Sequence, residues 1–314
     1  MNVDAVLTAL LGAALLGSVP LMLAAVGESI GERAGLLNLG IEGTMLIGGF
    51  AGFWVALRFD DLPLGLLAGA VAGLLTGAIF ALLAVVAKAD QIMIGLGLTL
   101  AGGGLTGFLF REVYGSDQPL LPSTMGRPFA GAGDGLPVIG PALLDQKWFV
   151  YVAWIIVAGS QVLLHRTSFG LRLRAAGEAP FAVDAAGIDV TRTRFAAALI
   201  AGTLTGLGGA SMALVELGFF RPNVTLGAGF IAIALAMLGR LTPWRVAAMA
   251  VLFGLLRGLD AGLQLTDIPV RAEFLQMVPY AGVVIALIVL GRHMALPAAL
   301  GRPYVRGQAR GDEV

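Results

Sequence analysis

The chain has 314 residues, of which 58% are hydrophobic and 13% charged, with 20 basic side chains against 20 acidic ones. A soluble domain carries about 45–50% apolar and about 25% charged residues, so too few charges remain to coat a soluble surface, and the neutral balance argues against a nucleic-acid partner. Cysteine is absent, which excludes disulfides and thiolate chemistry.

Apolar runs near the length needed to cross about 30 Å of hydrocarbon fall at 5–27, 36–57, 62–86, 91–110, 148–164, 195–217, 224–239, 243–263 and 273–291. They predict an all-α polytopic membrane protein, a bundle of about 8–10 transmembrane helices forming a single domain over 1–314. Within it lie an N-terminal half (1–110), an outer connection (111–147), a C-terminal half (148–291) and a cytoplasmic tail (292–314). The first run lacks a basic leader and reads as a span rather than a cleaved signal. Among the 46 glycines, four-residue ladders recur at Gly48/Gly52, Gly69/Gly73/Gly77, Gly202/Gly206 and Gly258/Gly262. In a membrane such ladders let helix backbones approach closely.

The second run opens with "ERAGLLNLGIEGTMLIGG", residues 32–49, and carries Asn38 and Glu42 among glycines. Polar groups in a span are costly and face a cavity or a partner. On one helix, Asn38 and Glu42 would share a face one turn apart. A broken or re-entrant segment lining a water-filled passage fits this pattern, and so does interhelical glue. The two readings are compatible where the bonds form the passage wall. Arg33 reads as a partner of Glu28 or Glu32 at the rim.

The outer connection 111–147, rich in Gly, Pro and Asp, reads equally as a cap that meets a partner or as a solvated linker. With the N-terminus outside, thirteen of the 20 basic residues fall on the inner side, so the positive-inside rule places the N-terminus out and the C-terminus in the cytoplasm. The inner loop 165–194 contains "AAGEAPFAVDAAGIDV", a short amphipathic helix with Pro180 in its first turn, Glu178 before it and Gly187 to end it. It either caps the bundle at the interface or docks into a groove on a cytoplasmic partner, with Arg172, Arg174, Glu178 and Asp184 orienting the contact.

Further along, "ELGFFRPNVT" (216–225) places Phe219, Phe220, Asn223 and Thr225 on the outer side, where the aromatics either stack on an entering solute or form an interfacial belt. Arg257 and Asp260, three apart, read as a pair. No GxxxxGK[ST] phosphate loop is present, and His165 and His293 are the only histidines, with no HExxH. The residues supply no cofactor or metal site and no means of hydrolysing ATP, so an enzyme is not expected.

"ERAGLLNLGIEGTMLIGGFAGF" resembles the signature of inner-membrane permease subunits of ABC importers, the branch handling branched-chain amino acids, ribose-type sugars and nucleosides. Three further stretches fit in order: "TSFGLRLRAAGEAPFAVDAAGI" (167–188), "ALIAGTLTGLGGA" (198–210) and "GAGFIAIALAMLGRLTPW" (227–244). The first and last of the four look most like the nucleoside and simple-sugar branch. The resemblance implies a multi-pass subunit of the bacterial cytoplasmic membrane with several partners. These are two cytoplasmic ATPase subunits, a second permease chain as homo- or heterodimer, and an extracytoplasmic or lipid-anchored substrate-binding protein. It implies ATPase coupling through Arg174, Gly177, Glu178, Pro180, Phe181, Asp184 and Gly187. It also puts Asn38 and Glu42 near a translocation pathway, to which the reading of the outer connection adds Phe219, Phe220 and Asn223 as candidates. Purine nucleosides are the first expected substrate, with ribose-like sugars or branched-chain amino acids as alternatives. An ion-driven secondary transporter is a rival that would want acids deep in several spans. A non-transporting scaffold leaves the polar, glycine-broken span unexplained.

Overall fold

The structure, a computed structural model, describes residues 3–133, 135–263, 272–290 and 296–306. The described residues form helices and no strand beyond one isolated bridge. In chain order they are α1 (Val3–Arg33), α2 (Ile41–Phe59), α3 (Leu62–Ala81), α4 (Gln91–Tyr114), α5 (Ile139–Leu144) and α6 (Trp148–Arg166). Then follow α7 (Ser168–Glu178), α8 (Pro180–Ala185), α9 (Val190–Ser211), α10 (Ala228–Leu238), α11 (Pro243–Leu263) and α12 (Ala272–Leu290). α3 and α9 each run on into a π-helical turn, Leu82–Val86 and Met212–Leu217.

Every apolar run of the sequence contains a helix, though the second run becomes helical only at Ile41 and the seventh only at Ala228. Five helical stretches among the described residues are long and apolar enough to cross a membrane: Leu7–Arg33, Leu62–Val86, Gln91–Tyr114, Trp148–Arg166 and Val190–Leu217. α2 has 19 residues but carries Glu42 and Arg58, and α10 has only 11. Several helices begin on side chains that satisfy their free N–H groups. Asp61 accepts from Leu64, Asp90 from Met93, Thr167 from Gly170 and Asp189 from Arg192, at 2.8–3.0 Å.

α1 and α9 sit at the centre. From Leu21 to Val26, α1 is buried on every side, as a helix surrounded by other helices must be. The outer helices instead turn large apolar side chains outward: Leu67 and Leu75 of α3, Leu100 and Phe108 of α4, Ile155 of α6, Ile288 of α12. In a lipid solvent these are the ordinary exterior.

The glycine ladders pack the centre. Gly69, Gly73 and Gly77 of α3 lie directly on Ala198, Gly202 and Gly206 of α9, and Gly48 of α2 lies on Gly206 as well. A Cβ added at Gly206 would overlap the Gly69 carbonyl and the backbone of Gly73. Backbone atoms cannot rotate aside as a side chain can.

The connection 111–147 is fastened down rather than free. α4 takes up its first residues to Tyr114. Leu121 N–H bonds the Gly218 carbonyl at 3.0 Å, Gln146 reaches the Gly12 carbonyl at 3.2 Å, and the Lys147 ammonium bonds the Val215 carbonyl. The segment thus rests on α1 and on the π-helical end of α9.

Gly206→Val should therefore separate α2, α3 and α9, a small-to-large change costing about 1–3 kcal/mol or more. Thermal unfolding of the detergent-purified protein should show a clear drop in midpoint. An exposed control such as Gly104→Val, with open space at its Cβ position, should show little.

Candidate functional site

The polar stretch that opens α2 holds a break in the bundle together. An 11-residue α10 is about 17 Å long, well short of about 30 Å of hydrocarbon, so its ends need partners from the protein itself. Glu42 supplies them at the N-terminus. Its carboxylate accepts from the Thr225 hydroxyl at 2.5 Å, Gly227 N–H at 2.8 Å and Gly229 N–H at 2.7 Å, and the residue is 8% exposed. Gly229 rests on the Glu42 backbone, where a Cβ would collide. Because Glu42 also lies in the first turn of α2, one negative charge serves the positive dipole ends of two helices.

Arg33 does the same at the other end of α10. Its guanidinium donates to the carbonyls of Arg240 at 2.8 Å and Leu241 at 3.2 Å, in the turn that closes the helix. This corrects the expected pairing: among the described residues no carboxylate lies within ion-pair distance of Arg33. Glu28 and Glu32 are buried instead, with Glu28 accepting from Asn38 N–H at 3.3 Å.

Asn38 also departs from expectation. It does not share a helix face with Glu42, because α2 starts only at Ile41 and residues 34–40 are non-helical. Its side-chain oxygen accepts from Gly40 N–H at 2.8 Å, a local turn that starts α2. Thr99 of α4 and Gln91 bond the same loop, at the Leu39 carbonyl and Leu37 N–H. The break is real, and it lies ahead of α2 rather than inside it.

At the opposite end from α7 and α8, the connection 218–227 borders a cavity of about 170 Å³. Phe219, Arg221, Thr225, Phe253, Arg257 and Tyr280 are among its walls. Arg257 pairs with Glu216 at 3.3 Å, while the side chain of Asp260, its expected partner, lies outside the described residues. The two phenylalanines part company. Phe219 faces the cavity, whereas Phe220 is fully buried among Phe50, Phe53 and Phe110, at ring distances of 5.5, 6.4 and 6.0 Å. Asn223 is exposed, in a left-handed conformation, with its side-chain oxygen against Gly103 of α4.

The sequence led to one short helix in 165–194, and the structure has two. α7 ends at Glu178 and α8 begins at Pro180, closed by Gly187 at φ +79°. Gly177 packs on the Arg33 carbonyl, Arg174 is half-buried, and Phe181 is 45% exposed. A strap from the C-terminal segment, missed by the sequence reading, lies across both helices. Ala299 N–H bonds the Gly177 carbonyl at 2.9 Å, and Ala298 N–H reaches the Glu178 carboxylate at 3.3 Å. Tyr304 meets the Phe181 ring at 5.4 Å, and Arg306 pairs with Asp184 at 3.3 Å. Burial, with the Asp184 carboxylate beside it, raises the Tyr304 phenol above its ordinary pKa. A groove of about 770 Å³ opens between α8 and the strap. The remaining tail residues 292–295 and 307–314 lie outside the described residues.

The features add up to a membrane bundle with a short helix capped at both ends by charged side chains, a cavity on one side and a helical platform on the other. Comparison with known proteins matches this arrangement to a family. The model described as "Branched-chain amino acid transport system / permease component" covers residues 10–291. The Guanosine ABC transporter permease protein NupQ of Bacillus subtilis is 33% identical, over 98% of this chain and 100% of its own. The Nucleoside ABC transporter permease protein NupC of Lactococcus lactis is also 33% identical, again over 98% and 100%. The Putative glucose ABC transporter permease protein TsgC13 of Haloferax volcanii is 34% identical over 89% of this chain and 84% of its own. No solved structure matches the chain. This multi-pass membrane protein therefore belongs to the branched-chain amino acid transport system permease family, as the non-catalytic permease subunit of an ABC importer.

Proposed function

We propose that the chain forms the translocation pathway of an importer for nucleosides, purine nucleosides first. The observation that carries this reading is end-to-end similarity to permeases named for guanosine and for nucleosides. A simple sugar is the second reading, favoured by the relative named for glucose. The cavity beside Phe219 suits both. A cavity of about 150 Å³ holds one benzene ring, so 170 Å³ admits one ring of a solute at a time. Aromatic faces at Phe219 and Tyr280 can stack on that ring, and Arg221, Arg257 and Thr225 can bond its hydroxyls.

The platform of α7 and α8 faces the cytoplasm in this reading, with the N-terminus outside, and docks on the ATPase. Phe181 is the anchor, an exposed aromatic beside an open groove. A second permease chain, two ATPase subunits and a substrate-binding protein complete the assembly. Asn38 and Glu42 contribute by fixing the wall of the pathway, and Glu42 does so through α10 rather than by touching solute. Phe220 supports Phe219 from behind.

Three outcomes test these assignments. Uptake of labelled guanosine by cells carrying the whole importer should depend on this chain and be competed by other purine nucleosides. Competition by ribose or glucose alone selects the sugar reading. Phe181→Asp should leave the folded permease intact yet abolish its co-purification with the ATPase, read by size-exclusion chromatography. Glu42→Gln keeps the shape but turns an amide donor toward a helix N–H. A buried donor left unsatisfied costs about 1–3 kcal/mol, so the unfolding midpoint should fall. Transport per folded molecule should change less than the amount of folded protein does.

A further inference from the structure

Arg194 is the largest fully enclosed side chain of the protein's described core, 2% exposed, and no carboxylate lies within ion-pair distance of it among the described residues. A charge buried in this way needs compensation. It comes from backbone carbonyls. One guanidinium nitrogen donates to the Ala176 carbonyl, in the last turn of α7, at 3.2 Å, and another to the Arg302 carbonyl in the strap at 2.8 Å. The guanidinium also lies against Gly35, just past the C-terminus of α1. Gly35 has φ +87°, and a side chain there would strike Arg194 and the Ala299 carbonyl. Gly35 accepts in turn from Gly301 N–H at 3.1 Å. Two helix C-termini, each the negative end of a dipole, thus converge on one cation that projects from the second turn of α9.

We propose that Arg194 is a positioning residue that makes α7, the strap and α9 move as one body, so that displacement of the α7–α8 platform is delivered to α9. The inference rests on the reading of that platform as the ATPase contact. α9 is suited to carry the displacement. It packs backbone to backbone on α3 and lies on α1 and α2, and its π-helical end supplies Met212 and Leu217 to the wall of the far cavity. Close-packed elements of this sort shift as units rather than deform continuously. The bonds among α7, the strap and the end of α1 join parts of the platform end to one another, and Arg194 adds the side-chain bonds that tie them directly to α9, the helix whose far end lines the cavity.

The test is the number of solute molecules imported per ATP hydrolysed, measured with the complete importer in proteoliposomes. Arg194→Gln should keep the complex assembled and lower this ratio about fivefold or more, within the range of coupling mutations. Arg194→Lys, which keeps the charge between two helix ends but loses the fork of donors, should recover part of it. An unchanged ratio, or a loss of uptake only in proportion to folded protein, overturns the proposal. Should Arg194→Gln fail to accumulate, the double variant Tyr304→Ala/Arg306→Ala decides, since it frees the far end of the strap by removing its contacts with Phe181 and Asp184. A lowered ratio then supports the clip, and an unchanged one overturns it. If the wild-type chain itself fails to bind the ATPase, the platform reading is at fault instead, and that result is separate.

Discussion

A helix shorter than the membrane is thick has to end inside it, and in hydrocarbon its free N–H and carbonyl groups have no water to turn to. α10, with 11 residues, meets that constraint through two charges from one neighbouring stretch of chain. Glu42 holds its start and Arg33 its closing turn. The eight residues between Arg33 and Glu42 thereby become a bracket whose span matches one short helix. The glycines and turn residues of that stretch are what allow it. Asn38 starts the turn, Gly40 lies against α4, and Gly35 leaves room for a guanidinium.

The same logic appears with opposite sign at Arg194. Glu42 sits where two helix N-termini meet, and Arg194 where two helix C-termini meet. Neither charge is neutralised by an opposite side chain, and each is matched by backbone groups of the complementary polarity. A carboxylate and a guanidinium thus keep hydrogen-bond partners where they are buried, and each fixes the relative position of several helices. Charged residues in this bundle are structural joints first. Neither Glu42 nor Arg194 lines the cavity around Phe219 and Tyr280.

The helices were legible because apolar runs in lipid are long and unambiguous, and glycine ladders announced which faces meet. The joints were not, for reasons that particular residues make plain. Asn38 and Glu42 look like one helical face by spacing, but the chain is not helical before Ile41. Arg33 was matched to Glu28 or Glu32 on charge, whereas its partners are carbonyls, which leave no mark in a sequence. Arg194 was counted as a loop charge, although Asp189 before "VTR" is an N-cap signal that places it within α9. Phe219 and Phe220 are adjacent and chemically alike, and only the fold turns one to the cavity and the other to the core. The strap read only as part of a cytoplasmic tail because its grip is mostly main chain, through Ala298, Ala299 and Gly301.

These joints also constrain how the subunit can move. α10 cannot slide along α2 without exposing the Gly227 and Gly229 N–H groups, nor can α3 slide past α9 while glycine backbones interlock. α4 is tied to the same unit by Gly102 against Gly43 and by the Thr99 bond to the Leu39 carbonyl. The helices so joined are α1, α2, α3, α4, α9 and α10, and α11 is held to α1 where Gly254 meets the Ala14 carbonyl. The handles of this unit are the platform end at Arg194 and the cavity end at Glu216 and Arg257. Under the proposed docking of the platform on an ATPase, a displacement there reaches the cavity through this close-packed unit rather than through one bending helix. A mechanism based on bending single helices would first have to break the charged caps that Glu42 and Arg33 place on α10.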